Sequence, residues 1–398
     1  MSKSSRAAPF MGWLGAFVGY VLDYYEVALN NIIIVPIRTD LNLSLSLAAV
    51  VPGTLLLFLA VGGVLFGWLG DRIGRRNVLY FTIITYAAGT FARAFTYDYV
   101  WLIVWTAITG MGLGGEFGVG QTLVSELAPV AKRGLWGAGF YASGAIGILI
   151  SAAAGIFLLP TIGWRMVFLI SGLASFGPLA FRLWTPESGT WERKKKEAMG
   201  SIVWSRVFLV PFFMCLFIGI LEFYKYYLVS TTLPLYLTAA GLTIAGASYY
   251  VFVSGAGTLT GSLIGAYVND RIGRRWTGSI GAIVYVIFGF ALFLLGRYIA
   301  SNPAIMVLFY CLGVGSSMSA CVLGVLFSEQ FPTKVRSLGT SASNQIARGL
   351  AFFPPLIAAA IFPVYGYGVV FLIGTVLTIA EGLSFWLLKE RRGKDLEF

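Results

Sequence analysis

The residues of this chain that could do chemistry are a few charged side chains set inside long apolar segments. Asp23, Glu26 and Asn30 have the spacing i, i+3, i+7, so on a helix they share one face. Glu222 and Lys225 stand three residues apart in a later segment. An ionisable group in apolar surroundings costs several kcal/mol unless it is paired or hydrated. These residues therefore indicate a buried ion pair or a functional site.

Carboxylates outnumber cations in the deepest parts of the apolar segments. Glu116 lies in a glycine-rich segment, and Asn344 and Arg348 are four residues apart in another. The deep charges are then four carboxylates against two cations, namely Asp23, Glu26, Glu116 and Glu222 against Lys225 and Arg348. Burial without a counter-charge disfavours the ionised form, so we expect at least one carboxylate to bind a proton near neutral pH. The candidates for proton coupling are Asp23, Glu26 and Glu116.

Polar and aromatic side chains near the same helix faces are predicted to line a cavity for a solute. Tyrosine rings and hydroxyl groups suit such a cavity, as do amide groups and the few cations. The predicted substrate-binding residues are Tyr24, Tyr25, Asn30, Gln121, Glu222, Tyr224, Lys225, Asn344 and Arg348. For Glu222 and Lys225 a purely structural ion pair stays an equal alternative.

The composition is that of an integral membrane protein. Of the 398 residues, 58% are apolar and 11% are charged, whereas soluble domains have about 45–50% and about 25%. A soluble enzyme and a disordered protein are therefore excluded. The absence of histidine excludes His-based catalysis and His-ligated zinc. The three cysteines have no metal-binding spacing and no nucleotide-binding motif is present, so no metal, cofactor or ATP-driven pumping is predicted.

Twelve apolar stretches have about the 20 residues that a membrane helix requires. They are 12–36, 48–70, 77–96, 100–126, 136–159, 165–185, 206–236, 244–268, 277–298, 303–329, 339–362 and 367–388. With a cytoplasmic N-terminus, most of the basic residues fall inside, leaving little more than Arg38, Arg93, Arg165 and Arg297 for the outer loops and helix ends. This positive-inside asymmetry predicts a multi-pass protein of the cell membrane with both termini cytoplasmic. It also accounts for the net charge of +11 without a nucleic-acid partner.

The sequence contains an internal repeat of half its length. GWLGDRIGRR at 67–76 recurs as GAYVNDRIGRR at 265–275, with Asp71 and Asp270 199 residues apart. LDYYE at 22–26 falls on LEFYK at 221–225 with the same offset, and SELAP at 125–129 recurs as SEQFP at 328–332. The repeat predicts an all-α protein of two pseudo-symmetric six-helix bundles. Their predicted bounds are 1–190 and 206–398, with a cytoplasmic linker at 191–205.

These repeated motifs, together with Pro186-Glu187-Ser188, resemble the signature loops of the major facilitator superfamily over essentially the whole chain. The acidic pair in the first span and the GGEFG sequence in the fourth resemble the metabolite:proton and aromatic-acid:proton symporters and the organic-ion transporters. The resemblance implies a monomeric, alternating-access transporter. Related symporters often carry an arginine where this chain has Thr106. Either Lys225 or Arg348 then replaces that partner of Asp23, or coupling works differently.

The resemblance also implies a cytoplasmic gate made of ion pairs. Carboxylates recur beside arginines at matched loop positions in both halves, and such pairs can join helix ends in one conformation and release them in another. The gate residues are Asp71, Arg75, Glu126, Arg133 and Glu187 in the first half, and Asp270, Arg274, Glu329 and Arg336 in the second. The alternative explanation is that these charged residues only set the orientation of the chain in the membrane.

The function predicted from these features is proton-coupled symport of a small organic solute across the lipid bilayer. An organic anion is favoured because Lys225 and Arg348 could receive a carboxylate. A sugar or polyol symporter stays open, as does a facilitative uniporter or exporter of cationic or drug-like compounds. A receptor or scaffold is disfavoured by the short loops, and an enzyme by the missing catalytic groups.

Overall fold

The structure is a computed structural model and describes residues 3–127, 133–179, 205–295, 298, 303–331 and 335–390. The helices of the first half are α1 (Lys3–Asp40), α2 (Leu45–Ile73), α3 (Arg75–Arg93), α4 (Tyr99–Leu127), α5 (Arg133–Ala153) and α6 (Leu159–Ala174). Those of the second half are α7 (Arg206–Ser230), α8 (Leu233–Ala239), α9 (Ile244–Ile272), α10 (Arg274–Leu295), α11 (Met306–Ala320), α12 (Leu323–Ser328), α13 (Arg336–Leu350), α14 (Phe353–Tyr365) and α15 (Tyr367–Ser384). A π-helical segment, Ala154–Leu158, joins α5 to α6.

The described parts of the twelve predicted spans coincide with these helices. Eight helical stretches of the described chain, from Leu45–Gly70 to Tyr367–Leu387, are long and apolar enough to cross a membrane. One of them, Gly139–Ala174, holds both the fifth span and the beginning of the sixth, whose residues 180–185 lie outside the described ranges. The first, third and fourth spans are α1, α3 and α4. The prediction of an all-α membrane protein is confirmed.

Proline divides spans of the second half into consecutive helices. The seventh span is α7 and α8, which begins with Leu233 and Pro234. The eleventh is α13 and α14, where Pro354 and Pro355 follow the first residue of α14. Proline has no N–H to donate and its ring clashes with the preceding turn, so it is tolerated where a helix begins but interrupts a continuous one.

The two DRIGRR motifs fold into the same tight turn. Gly74 ends α2 with a φ of 101°, and Gly273 ends α9 with a φ of 95°. A side chain rarely tolerates such a positive φ, so glycine lets the next helix begin at once with an arginine, Arg75 or Arg274. The sequence repeat is therefore also a repeat of backbone conformation.

The helices pack as two bundles with matching contacts. In the first bundle α4 packs against α2 and α3, and α1 packs against α5. In the second, α11 packs in the same way against α9 and α10, and α7 packs against α13. The bundles meet where α2 packs on α13 and α5 on α9. Glycines allow this approach, since a Cβ at Gly349 would lie 2.1 Å from the Cβ of Ala60. Residues 191–204 of the predicted linker lie outside the described ranges.

The distribution of polarity is that of a protein in lipid. Charged side chains such as Arg93 and Lys225 are fully buried, while Phe81, Ile287 and Val376 are more than half exposed. Apolar groups face outward because hydrocarbon surrounds the molecule, and the charges face the interior, where partners are available.

Candidate functional site

A buried ion pair joins the two bundles. Asp23 on α1 is fully buried, and its Oδ2 lies 3.6 Å from Nη1 of Arg348 on α13. Neither carboxylate oxygen of Asp23 has a hydrogen-bond partner among the described residues. The separation is longer than a direct hydrogen bond, so the contact is electrostatic and leaves the lone pairs of Asp23 available. Of the two predicted replacements for the missing arginine, Arg348 is the one beside Asp23.

Tyrosines of both bundles hold the Arg348 guanidinium. Its Nε donates a hydrogen bond of 2.8 Å to the hydroxyl of Tyr227, and its Cζ lies 5.0 Å from the centre of the Tyr24 ring. Nη2 of Arg348 has no hydrogen-bond partner in the described part of the chain. Tyr24 is thus close to Arg348, and its role in substrate binding stays a prediction. Tyr227 was missed because no sequence signal separates it from Tyr224 and Tyr226.

Glu26 has a partner that the sequence did not reveal. Nη2 of Arg93 lies 2.8 Å from Oε2 of Glu26, and its Nη1 donates to Oδ1 of Asn30 at 3.0 Å. Thr90 donates to the same Glu26 oxygen at 3.0 Å, and the guanidinium lies 4.2 Å from the centre of the Phe168 ring. Arg93 does lie at the end of a helix, as its last residue, but neighbouring helices bury it there. The negative charge of Glu26 is therefore balanced by the positive charge of Arg93.

The second bundle contains a buried cluster around Lys225. Its Nζ lies 2.7 Å from Oε2 of Glu222 and also contacts Oε2 of Glu381 on α15. The ammonium donates to Oγ of Ser319 at 2.7 Å, and Ser319 donates to Glu222 at 3.2 Å. The predicted Glu222–Lys225 pair is confirmed, but Glu381 was missed. Its signal in the sequence is a single glutamate within the last apolar span.

The corrected set of deep charges still has more carboxylates than cations. Arg93 adds one cation and Glu381 adds one carboxylate. Without the buried gate residues Arg75, Arg274 and Glu329, the described residues then include five buried carboxylates and three buried cations. Glu116 is buried and accepts a hydrogen bond of 2.8 Å from Thr82. Asn344 is also buried. The side chain of Gln121 lies outside the described residues.

A cavity that is partly open to the exterior lies beside the Lys225 cluster. Both bundles line it, with Asn31 from α1, Ile148 from α5, and polar groups of the second bundle that include Lys225, Tyr226, Ser254 and Tyr285. Of the nine predicted substrate-binding residues, Lys225 is part of this lining, whereas Tyr25 and Tyr224 are not. Tyr25 is buried in the apolar core, where its hydroxyl hydrogen-bonds Ser171. Tyr226 and Tyr285 provide the aromatic surface instead.

The predicted gate is described in part. Nη2 of Arg274 lies 3.1 Å from Oε1 of Glu329, so the first arginine of the second DRIGRR turn pairs with the glutamate of the SEQFP motif. Arg75 in the first half is buried and donates to the carbonyl of Gly70 at 3.4 Å. All of Glu187 lies outside the described residues, as do the side chains of Asp71, Glu126, Arg133, Asp270 and Arg336.

The chain is similar to known transporters along nearly its whole length. A putative niacin/nicotinamide transporter of Bacillus subtilis, NiaP, is 27% identical over 96% of both chains. The sialic acid transporter NanX of Escherichia coli is 27% identical over 94% of this chain and 92% of its own. A cis,cis-muconate transport protein of Acinetobacter baylyi is 25% identical over 87% and 86%.

The fold is also that of a solved transporter. The proton:xylose symporter XylE of E. coli, bound to 6-bromo-6-deoxy-D-glucose, matches 98% of both chains with a TM-score of 0.83 and 20% identity. At this identity the likeness concerns the fold alone. The profile of the Major Facilitator Superfamily matches residues 16–354 and 259–397. The two bundles, their repeated turns and these matches lead to one conclusion: the chain belongs to the major facilitator superfamily and is a multi-pass membrane transporter.

Proposed function

We propose that the protein is a proton-coupled symporter of a small organic anion, working as a monomer in the cell membrane with both termini cytoplasmic. The observation that carries the proposal is the Asp23–Arg348 pair, which spans the two bundles with a separation of 3.6 Å. On both sides of the pair, polar atoms have no hydrogen-bond partner among the residues that the structure describes. A transporter that alternates its access moves one bundle against the other. A charge pair across that interface is therefore placed to sense both a proton and an anion.

Charge balance at this pair gives a physical reason for coupling. In the empty protein the Asp23 carboxylate and the Arg348 guanidinium compensate each other. When Asp23 is protonated and Arg348 binds an anion, the site is again neutral. A proton alone or an anion alone leaves an uncompensated buried charge, which costs several kcal/mol. The two ligands therefore favour each other's binding, and the fully loaded and empty forms are the ones that cross.

The geometry of Arg348 favours a carboxylate as the ligand. Its Nη1 and Nη2 form a planar fork, which binds carboxylates through two parallel hydrogen bonds. Nε is already held by Tyr227, so the fork is oriented before the ligand arrives. The relatives named for niacin, sialic acid and cis,cis-muconate transport are consistent with this choice, because each of these compounds carries a carboxyl group.

Asp23 is the first candidate for the proton, with Glu116 in reserve. Glu26 is bound to Arg93, Asn30 and Thr90 within one bundle, an arrangement that favours a structural role. We propose Arg274–Glu329, with the corresponding residues of the first half, as the cytoplasmic gate, and residues 191–205 as the linker between the bundles.

Uptake into proteoliposomes tests the proposal. Labelled niacin, cis,cis-muconate and sialic acid are offered with and without an imposed pH gradient, and exchange of the same solute is measured in parallel. Asp23→Asn, which mimics permanent protonation, should abolish gradient-driven accumulation but retain exchange, which needs no net proton movement. Asp98→Asn is the matched control, because Asp98 is exposed and caps α4 through the N–H of Trp101 at 2.9 Å.

Each other outcome contradicts a defined part of the proposal. Equilibration that ignores the gradient would indicate a uniporter. Normal gradient-driven accumulation by Asp23→Asn would show that Asp23 does not carry the proton, and the assignment would move to Glu116. Transport of a sugar, a polyol or an organic cation in place of the three acids would refute the anion assignment.

A further inference from the structure

The cluster around Lys225 has one negative charge more than its cation can balance. The exposed fraction is 3% for Glu222 and 0% for both Lys225 and Glu381. Within the described residues, Lys225 is the cation that contacts the two glutamates. Full ionisation would therefore leave a net charge of −1 inside the second bundle, where desolvation makes an uncompensated charge expensive.

All three N–H donors of the Lys225 ammonium already have acceptors in the cluster. An ammonium has three donors, and Lys225 directs them to Glu222, Glu381 and Ser319. The single hydroxyl proton of Ser319 lies within reach of two acceptors, Glu222 at 3.2 Å and the carbonyl of Ser316 at 2.9 Å. Oε1 of Glu381 has no hydrogen-bond partner among the described residues. The second glutamate thus has no further donor to stabilise an ionised form.

In the part of the chain that the structure describes, the other ionisable groups around the cluster do not supply the missing positive charge. They are Tyr285 on α10, Tyr141 on α5, Tyr226 on α7, and Cys321 just after α11. Tyrosine and cysteine side chains are neutral at pH 7 in their ordinary state. The Glu26–Arg93 site is the internal contrast, because there one carboxylate meets one guanidinium.

We propose that Glu222 and Glu381 share one proton at neutral pH and form, with Lys225, a second proton-binding site that is separate from Asp23. The shared proton makes the cluster neutral, with one ammonium, one carboxylate and one carboxylic acid. Lys225 and Tyr285 also line the cavity. The cluster therefore contacts the cavity through Lys225. It does not depend on which solute the protein carries.

Infrared pH-difference spectroscopy of the purified full chain in lipid tests the shared proton without any solute. The wild type should show the C=O band of a buried carboxylic acid, and this band should disappear as the pH is raised. Glu381→Gln leaves Glu222 alone with Lys225, and Glu222→Gln leaves Glu381 alone with it. Each change creates a balanced pair, so each should remove the band. Asp23→Asn should retain the band.

Thermal unfolding provides a second readout that does not require assignment of a band. A proton held by the folded protein and released by the unfolded chain stabilises the fold at low pH and stabilises it less as the pH rises. The melting temperature of the wild type should therefore fall with rising pH through this site. Both Gln variants should reduce that dependence, and Asp98→Asn should not.

Two results would overturn the proposal. A band that survives in both Gln variants would place the carboxylic acid elsewhere, and a band lost in only one variant would mean that the proton is not shared. If one variant does not fold, survival of the band in the other suffices to refute sharing. Neither result bears on Asp23, whose role is judged from gradient-driven uptake, so the two proposals fail separately.

Discussion

We expect Arg93→Leu to lower the free energy of unfolding by about 3–5 kcal/mol, the usual effect of removing one member of a buried ion pair. The structure gives the reason. Arg93 is fully buried, pairs with Glu26 at 2.8 Å and donates to Asn30 at 3.0 Å. Leucine fills part of the volume but leaves the Glu26 carboxylate without its counter-charge. That carboxylate must then stay charged in an apolar interior or bind a proton.

Arg165→Leu is the matched control, because this arginine has a pair of the same length in a different environment. Its Nη1 lies 2.7 Å from Oδ2 of Asp40, but the two side chains are 31% and 44% exposed. An exposed pair of this kind contributes about 0.2–1 kcal/mol. The comparison therefore isolates burial, and the loss for Arg93→Leu should exceed that for Arg165→Leu by at least about 2 kcal/mol.

Reversible unfolding in mixed micelles, followed by tryptophan fluorescence, measures both losses. The double variant Arg93→Leu with Glu26→Leu should recover most of the stability, because an apolar pair in place of a buried ion pair is often neutral or stabilising. Equal losses for Arg93→Leu and Arg165→Leu would refute the burial argument. A double variant that is as unstable as the sum of its single changes would refute the pairing.

Three further predictions concern the gate, the bundle interface and the topology. Arg274→Gln and Glu329→Gln should each slow uptake by a similar factor, because each change breaks the same 3.1 Å ion pair. The double variant should therefore be no slower than either single variant, and additive losses in an uptake assay would contradict this. Gly349→Ala should impair uptake because its Cβ would lie 2.1 Å from that of Ala60, whereas Gly67→Ala, which has nothing within 4 Å, should be tolerated. A reporter fused to the C-terminus should be cytoplasmic, and a periplasmic signal would refute the predicted topology.

The sequence by itself determined the membrane spans and the repeat. An apolar stretch of about 20 residues must cross the bilayer as a helix, because hydrocarbon offers no partner for backbone polar groups. The positions of the spans therefore follow from local hydropathy. The turns at Gly74 and Gly273 also follow locally, since the same glycine-arginine motif requires the same positive φ. The Glu222–Lys225 pair was predictable because helical geometry places residues i and i+3 side by side.

The tertiary structure alone decided which distant charges meet. Arg93 ends α3, and hydropathy along one segment cannot reveal that other helices cover it and bring Glu26 within 2.8 Å. Glu381 reaches Lys225 from 156 residues away, and Arg348 reaches Asp23 from the opposite bundle. These pairings depend on the rotation and the neighbours of each helix, which packing between helices sets. The sequence thus determines that carboxylates are in excess, and the packing determines which of them have a cation.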